Sequence, residues 1–385
     1  MTGSIRRRGK MTWELCFDLG PDPVTGERMR RFVSVKGTRR EAERVLAEAV
    51  QQRNTGIDVA HGKLTVKQYL NRWLKDYAAT NVSAATLVRY DGIVANHLVP
   101  AIGGIQLSEL RPAHIQRAYA ETLSAGARKD RRRGALSART VLQHHRVLRE
   151  ALAHAVRWQL IARNPADAVA PPKPIRHEMR VLDRTEAQAL LAASGNDPLY
   201  CLLHVALASG ARLGELLALR WADMDAKSGT LRITRSAQRL PGEGIVFHAP
   251  KTHRSIRPIA LSPVTLKILR AHRISQAEQR LAVGGAYTDR DLVFANALGQ
   301  PLDGTAVTKR FQQLALGVGL GHVRFHDLRH TAATLMLSAG THPKVVSERL
   351  GHATIGITLD TYSHVLPDLQ HEAAATIDAL LTQAT

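Results

Sequence analysis

The chain has 385 residues, a length that predicts two to four compact domains and excludes a single small core. Its 53 lysines and arginines outnumber 33 acidic residues and give a net charge of +20, which favours a nucleic-acid partner over charge kept only for solubility. Two cysteines are too few for a disulfide framework or a cysteine-based zinc site, and no apolar leader or membrane-length apolar run is present, so we expect a cytoplasmic protein that does not span a membrane.

Residues 1–56 are predicted to form a small α+β domain. Apolar and polar residues alternate at 13–17, and after a turn-rich stretch come Phe32, Val33 and Val35, so residues 4–35 are predicted to form strands. Thr38 and Glu41 have the spacing of a capping box, so we expect one helix to begin there and to end in the early fifties.

Residues 62–163 show helical periodicity and are predicted to form an all-α, four-helix domain. The four helices are expected near 65–78, 84–97, 112–124 and 137–160. Between the last two helices, Arg128 to Arg133 form a basic loop that fits either a DNA backbone or a solvated surface loop. The proline-rich stretch 164–176 cannot continue a helix and is predicted to be a linker.

Residues 177–385 are predicted to form a mainly helical α+β domain with a small antiparallel sheet. Helices are expected near 185–194 and 198–208, strands near 230–235, 245–249 and 256–260, and helices again from about 262. The sequence contains no internal repeat. The whole chain is therefore read as a multidomain protein with three structured parts and a linker.

Several residues of this third domain could carry chemistry, although each one alone is ordinary. Arg212 follows the helix-ending pair Ser209-Gly210, and Lys251 lies between two predicted strands, in an expected hairpin turn. His326 and Arg329 are three residues apart at the start of a helix and share one face. An isolated arginine at a helix junction is most often a surface or ion-pair residue.

His326 and His330 also have the spacing of a helical zinc pair. Against zinc, the glutamate that serves as general base in that motif is absent, and Asp327 stands in its place. Arg329 between the histidines would repel a dication. A metal site would also leave the +20 charge unexplained.

Taken together, these residues and Tyr362 fit attack of a phenol on a phosphodiester. A phenol with an ordinary pKa of about 10 needs a base or positive surroundings to act at neutral pH, and His326 can supply the base. Arg212, Arg329 and His352 can stabilise the charge that develops on the phosphate oxygens. Lys251 can protonate the departing 5′ oxygen, so no metal or other cofactor is required.

The ordered motifs resemble the active-site signature of tyrosine recombinases of the phage integrase family. They are Ala211-Arg212-Leu213-Gly214-Glu215, Lys251-Thr252, His326-Asp327-Leu328-Arg329-His330, Leu350-Gly351-His352 and Tyr362. The resemblance covers about half of the chain and implies a catalytic set with Glu215 as a supporting residue. That set is Arg212, Lys251, His326, Arg329, His352 and Tyr362. Five motifs in one order are far more specific than any one alone.

The resemblance further implies a bacterial, nucleoid-associated integrase of a phage or mobile element. Such an enzyme cuts DNA through a 3′-phosphotyrosyl intermediate, needs no ATP, and acts as a homotetramer on two double-stranded attachment sites. The first two domains resemble an arm-type DNA-binding domain and a core-binding domain. An accessory DNA-bending or directionality factor is a possible partner. The apolar spacing from Pro367 to Thr385 suits a helix that docks on a neighbouring protomer or on its own domain.

Three alternatives stay open from the sequence. A type IB topoisomerase uses similar residues but rejoins the original strand. A DNA-binding regulator with an unused site would bind DNA without forming a covalent adduct. RNA binding draws on the same charge, yet aromatic residues are only 4% of the chain and show no stacking motif.

Overall fold

The structure is a computed structural model. It describes residues 3–21, 28–54, 64–124, 135–175, 179–249 and 256–362, with 374–375, 377–379 and 381. The chain divides into two compact units, Met1–Arg176 and His177–Thr385. Among the described residues, no helix is both long enough and apolar enough to cross a membrane.

A three-stranded antiparallel sheet and one helix begin the first unit, as predicted. The sheet has the order β1 (Gly3–Gly9), β2 (Thr12–Pro21) and β3 (Arg28–Lys36), and α1 spans Arg39–Asn54. Ile5 and Val33 lie opposite the fully buried Leu15, so strand alternation buries one face of the sheet. The predicted capping box is confirmed, because Glu41 N donates to Thr38 Oγ1 at 3.3 Å and Thr38 N donates to Glu41 Oε2 at 2.7 Å.

The rest of the first unit is helical. Its helices are α2 (Val66–Trp73), α3 (Ala79–Asn81), α4 (Ala84–Ile93), α5 (Val99–Ile102), α6 (Pro112–Leu123) and α7 (Ala138–Arg157). π-helical turns join α2 to α3 and α4 to α5, so the described helices form four rods, as the periodicity predicts. Trp73 is fully buried at the centre, and Ala166 and Val169 belong to the same core. The chain therefore stays packed in this unit beyond residue 164, where the linker was predicted to begin.

The second unit is mainly helical. Its helices are α8 (Arg184–Ala193), α9 (Tyr200–Ser209), α10 (Leu213–Leu216), α11 (Pro263–Val283), α12 (Gly304–Gly317), α13 (Asp327–Ser338), α14 (Pro343–Leu350) and α15 (Ile355–Tyr362). The apolar α9 contacts α8, α11 and α13, and Leu202, Leu203 and Val205 are fully buried. Gly210 has φ +64° and ends α9, which confirms the helix end expected at Ser209-Gly210.

The described strands of the second unit form two sheets, whereas one was predicted. One sheet has the order β4 (Met224–Asp225), β5 (Thr230–Ile233) and β8 (Arg257–Ala260), and the other pairs β6 (Ser236–Leu240) with β7 (Gly244–His248). The sequence of β6 lacks the apolar alternation that marks a strand, which is why its pairing was missed. The turn between β6 and β7 contains Gly242 at φ +80°, a conformation that glycine readily adopts.

The prediction that the strands on either side of Lys251 pair as a hairpin is therefore wrong. β7 and β8, which precede and follow that segment, belong to different sheets, so the segment connects two sheets. Lys251 itself, at 250–255, lies outside the described residues.

Candidate active site

A buried carboxylate, Glu215, positions the first arginine of the predicted set. Glu215 lies in α10, which begins directly after Arg212, and its oxygens accept from Arg212 N at 3.0 Å and from Arg212 Nη1 at 2.8 Å. Burial alone would raise the pKa of Glu215, but the hydrogen bonds and charge of Arg257 outweigh it and lower that pKa. Glu215 is thus ionised and orients Arg212, whose side chain is 43% exposed and can reach a ligand.

Arg257 belongs to the same cluster of side chains and was missed by the sequence analysis. It is the first residue of β8, and its buried guanidinium donates to Glu215 Oε2 at 2.8 Å and to the carbonyl of Arg349 at 2.7 Å. It thereby joins α10 to the last turn of α14. A lone arginine at the start of a strand is usually a surface residue. The available signal was its strand position, two residues before the buried Ile259 and hence on the same face.

Arg329, in the first turn of α13, carries a buried guanidinium with spare donor capacity. The residue is 4% exposed, and its Nη1 donates to the carbonyl of Gly210 at 2.8 Å. Nη2 is buried and has no hydrogen-bond partner among the described residues. Burial, followed by the charge of Arg212, lowers the pKa of Arg329, yet a guanidinium stays protonated at neutral pH. A buried, unpartnered N–H close to a second guanidinium is suited to bind an anion.

The two histidines of α13 lie side by side, and the second one contacts the tyrosine. The rings of His326 and His330 meet edge to face, with centroids 5.0 Å apart. His330 Nδ1 and Tyr362 Oη are 2.7 Å apart. Tyr362 is 1% exposed and packs with apolar residues of α13 and α14, among them Leu337 and Leu350.

The protonation states of this pair follow from its surroundings. Burial raises the pKa of Tyr362 to about 12, although the charge of Arg329 opposes the rise. Burial, followed by the charge of His326, lowers the pKa of His330 to about 4. Tyr362 therefore keeps its proton, and His330 is neutral. In the His330 tautomer that carries its proton on Nε2, Tyr362 Oη donates to Nδ1.

His352 is held by the same helix that carries the tyrosine. It follows Gly351, and its Nδ1 lies 2.8 Å from Oγ1 of the fully buried Thr358. Burial, then the charges of Arg329 and Arg212, lower the pKa of His352 to about 4. Thr358 and Tyr362 are four residues apart in α15, so one short helix positions both groups.

Five of the six predicted residues come together, and the sixth is not described. The pKa of His352 responds to Arg212, Arg329 and His330, which indicates that these groups act on one another. The pKa of His326 is lowered by burial and by Arg329. Lys251 lies outside the described residues. The described part of the chain contains no cluster of three or more His, Cys, Asp or Glu side chains that could hold a metal ion.

This arrangement combines a tyrosine hydroxyl with arginine donors for an anion, a combination that is suited to phosphoryl transfer. Two family models match the chain. The model described as "Phage integrase family" matches residues 180–368, and "Phage integrase, N-terminal SAM-like domain" matches residues 65–123. The first match contains every predicted catalytic residue, and the second lies within the helical part of the first unit.

Relatives along the full chain point the same way. A tyrosine recombinase XerC-like protein of Caldanaerobacter subterraneus subsp. tengcongensis is 27% identical and covers 97% of each chain. An integrase of Streptomyces ambofaciens is also 27% identical and covers 96% of this chain and 94% of the relative.

Solved structures share the fold. The Tn1549 transposon integrase bound to transposon right-end DNA has a TM-score of 0.68 at 20% identity, over 83% of this chain and all of that one. A lambda integrase dimer bound to a COC′ core site has a TM-score of 0.57 at 18% identity, over 95% of each chain. The chain therefore belongs to the phage integrase family of tyrosine recombinases, which cut and rejoin DNA through a tyrosine intermediate.

Proposed function

We propose that this site-specific recombinase integrates or excises a mobile element, with Tyr362 as the nucleophile. Tyr362 forms a 3′-phosphotyrosyl link and releases a 5′ hydroxyl, which then attacks the tyrosyl link of the partner duplex. The observation that carries the assignment is the buried Arg329, whose Nη2 lacks a partner among the described residues, in a site shared with Arg212 and Tyr362. A non-bridging phosphate oxygen would satisfy that donor.

The remaining roles follow from chemistry. Arg212 and Arg329 bind the non-bridging oxygens, and each stabilises the transition state by roughly 3 kcal/mol, as oxyanion donors do in other enzymes. A hydrogen bond donated by Thr358 to His352 Nδ1 leaves a proton on His352 Nε2 for the phosphate. Lys251 protonates the departing 5′ oxygen. His326 was expected to be the base, and its position at the start of α13 also suits contact with the phosphate.

The N-terminal sheet is proposed to bind arm-type DNA through its outer face. α1 contacts the other face, where an added Cβ at Gly3 would lie 2.7 Å from Leu46. Strand register assigns Arg6 and Arg30 to the outer face, together with Phe32, which is 64% exposed. Positive side chains on a sheet can bind phosphates while the strands enter the major groove.

The domain layout and the assembly are also proposals. Residues 1–56, 62–163 and 177–385 would serve as arm-binding, core-binding and catalytic domains. The linker predicted at 164–176 would begin after Val169, because the chain is packed in the helical core up to that residue. The basic segment Arg128 to Arg133, which lies outside the described residues, would follow the DNA backbone. The enzyme would act on bacterial nucleoid DNA in the cytoplasm as a homotetramer on two duplexes, with an accessory factor that bends DNA or sets direction. The lambda integrase neighbour is a dimer on a core site, which supports a multimer on DNA.

The C-terminal segment from Pro367 to Thr385 lies largely outside the described residues. Ile377, one of its few described residues, is 55% exposed. We propose that this segment docks on a neighbouring protomer, and docking on its own domain is the other outcome.

The test uses labelled duplex DNA from the region that flanks the gene, with a nick that traps the cleaved strand. Wild-type protein is expected to form an SDS-resistant covalent adduct, and Tyr362→Phe is expected to form none. Addition of a partner duplex should yield joined products. Tight, salt-sensitive binding without any adduct would instead identify a DNA-binding regulator. An adduct that relaxes supercoils but never joins two duplexes would identify a topoisomerase.

A further inference from the structure

His330 has no role in the mechanism above, yet it contacts the proposed nucleophile. Its Nδ1 lies 2.7 Å from Tyr362 Oη, and among the described residues no hydrogen bond joins Tyr362 to His326. Among the described residues, the ring of His326 contacts the ring of His330, and the ring of His330 contacts the ring of Tyr362. The ring of His330 therefore lies between His326, the residue expected to be the base, and the Tyr362 hydroxyl, and His330 itself contacts that hydroxyl.

We propose that His330 is a catalytic residue whose Nδ1 takes the proton of Tyr362 during cleavage and returns it during rejoining. The inference rests on the proposed function, because it assumes that Tyr362 attacks the phosphate. It assigns proton transfer to a residue different from the predicted His326. Heavy-atom contact within hydrogen-bond distance is the first requirement for a general base, and His330 meets it in the resting protein.

The cleavage step balances as follows. Tyr362 Oη forms a bond to phosphorus while its proton moves to Nδ1 of His330, which becomes an imidazolium ion. The bond from phosphorus to the 5′ oxygen breaks, and that oxygen takes a proton from the general acid, proposed to be Lys251. In rejoining, the 5′ hydroxyl returns its proton to that group and attacks phosphorus. The departing Tyr362 Oη takes the proton back from His330, so neither an oxidant nor a metal is consumed.

Burial and the charges around His330 make it a weak base in the DNA-free protein. On and next to α13 it faces His326, Arg329, Arg324 and Asp327, and His352 lies across from it. Arg324 pairs with Asp327 at 2.7 Å and offsets part of its charge.

Burial, followed by the charges of His326 and Arg329, keeps His330 neutral, which is the state that can accept a proton. A bound phosphate brings negative charge and favours the imidazolium ion. Proton transfer is therefore expected only in the complex with DNA.

The test measures single-turnover adduct formation by the full-length protein on the nicked duplex, from pH 6 to pH 9.5. The variants are His330→Ala, His330→Asn and, in parallel, His326→Asn. Asparagine can keep a hydrogen bond to Tyr362 but cannot take its proton. Both His330 variants are expected to slow cleavage by about 10²- to 10⁴-fold near pH 7, and the defect should shrink as pH rises because solvent base replaces the imidazole. Added imidazole should partly restore His330→Ala.

A second substrate separates the base from the acid. If sulfur replaces the 5′ bridging oxygen, the leaving thiolate needs no proton. The cleavage rate of a variant that lacks the general acid then recovers, whereas the rate of a variant that lacks the general base does not. The His330→Asn defect should persist on this substrate. If the cleavage rate of His330→Asn recovers on the sulfur substrate, His330 protonates the leaving group, and the proposal is overturned.

Three other results would overturn the inference. If His330→Asn cleaves at the wild-type rate, His330 only positions Tyr362. If His330→Ala cleaves faster than wild type, His330 restrains the tyrosine in the resting protein. If the pH-dependent defect appears in His326→Asn and not in the His330 variants, His326 is the base. These outcomes are separate from failure of the proposed function. If the proposed function fails, the wild-type protein itself will form no covalent adduct that depends on Tyr362. Thermal unfolding of each variant checks that it is folded.

Discussion

Among single residues, the site depends on two buried side chains behind Arg212, the residue proposed to bind phosphate. Glu215 and Arg257 are almost fully buried as an ion pair, and such pairs are costly to desolvate unless each hydrogen-bonding group is satisfied. Here the carboxylate also holds Arg212, and the guanidinium also holds the carbonyl of Arg349. The pair therefore fixes the geometry of two segments that flank the reaction centre.

We expect Arg257→Lys to impair both stability and cleavage. Lysine keeps the charge but cannot donate to Glu215 and to the Arg349 carbonyl with one planar fork. Loss of charged hydrogen bonds should lower the free energy of unfolding by roughly 1.5–3 kcal/mol and slow adduct formation because Arg212 loses its fixed support. Denaturant unfolding and single-turnover cleavage measure the two effects.

The matched control for this change is Arg239→Lys. Arg239 pairs with Asp303, but its side chain is 65% exposed, and an exposed pair contributes less than about 1 kcal/mol. Its rate and stability should remain close to wild type. Equal effects of the two variants would show that the burial of Arg257 has no special consequence.

Thr358 is expected to set the tautomer of His352. A donated hydroxyl proton leaves His352 Nε2 protonated and able to donate to phosphate. Thr358→Val keeps the shape but removes the donor, so cleavage should fall by about tenfold, the effect of roughly 1.4 kcal/mol of lost transition-state stabilisation. Thr358→Ser should retain the wild-type rate. Wild-type cleavage by the valine variant would exclude this role.

At the scale of elements, the turn between α14 and α15 determines how closely His352 approaches the arginines. Gly351 ends α14 with φ +69°, and an added Cβ would lie 2.8 Å from Arg257 Nη1. The turn thus needs a glycine for two reasons, its backbone conformation and the space that the guanidinium occupies.

Gly351→Ala separates these two reasons when it is compared with Gly340→Ala. Gly340 has φ +81°, and an added Cβ there has nothing within 4 Å, so its variant carries the backbone strain alone, about 1 kcal/mol. Gly351→Ala should lose more unfolding free energy than Gly340→Ala, and only Gly351→Ala should slow cleavage. Thermal unfolding and adduct formation test this. Matching losses in both variants would contradict the crowding of Arg257.

The same elements indicate what the sequence could and could not reveal. Helix ends were predictable because their signals are local, such as Gly210 after α9 and the capping box at Thr38. β6 was missed because its partner strand, and not its own polar sequence, stabilises it. The contact of His330 with Tyr362 was hidden because 32 residues separate them and only the packing of α13 near α15 brings them together.

At the scale of the whole molecule, the net charge of +20 serves several surfaces and does not identify any one of them. Motifs predicted a set of catalytic residues because that chemistry restricts residue type and order. A DNA-binding face carries a weaker signal, since many arrangements of arginine and lysine bind phosphates equally well. The outer face of the N-terminal sheet is therefore proposed as a DNA-binding face from strand register and exposure.

The double variant Arg6→Ala/Arg30→Ala tests whether that face binds a second DNA region. Loss of two phosphate contacts should weaken binding to the full attachment fragment and reduce the slope of log affinity against log salt by about 1.8, or 0.9 per contact. Cleavage of a short core duplex should not change, because the catalytic unit is intact. Arg39→Ala/Arg40→Ala removes the same charge from exposed positions on α1, which contacts the opposite face, and should alter the slope far less. If both double variants reduce the salt slope equally, net charge determines the affinity and not this face. A defined interface requires that its own arginines contribute more to DNA binding than other arginines of the same domain.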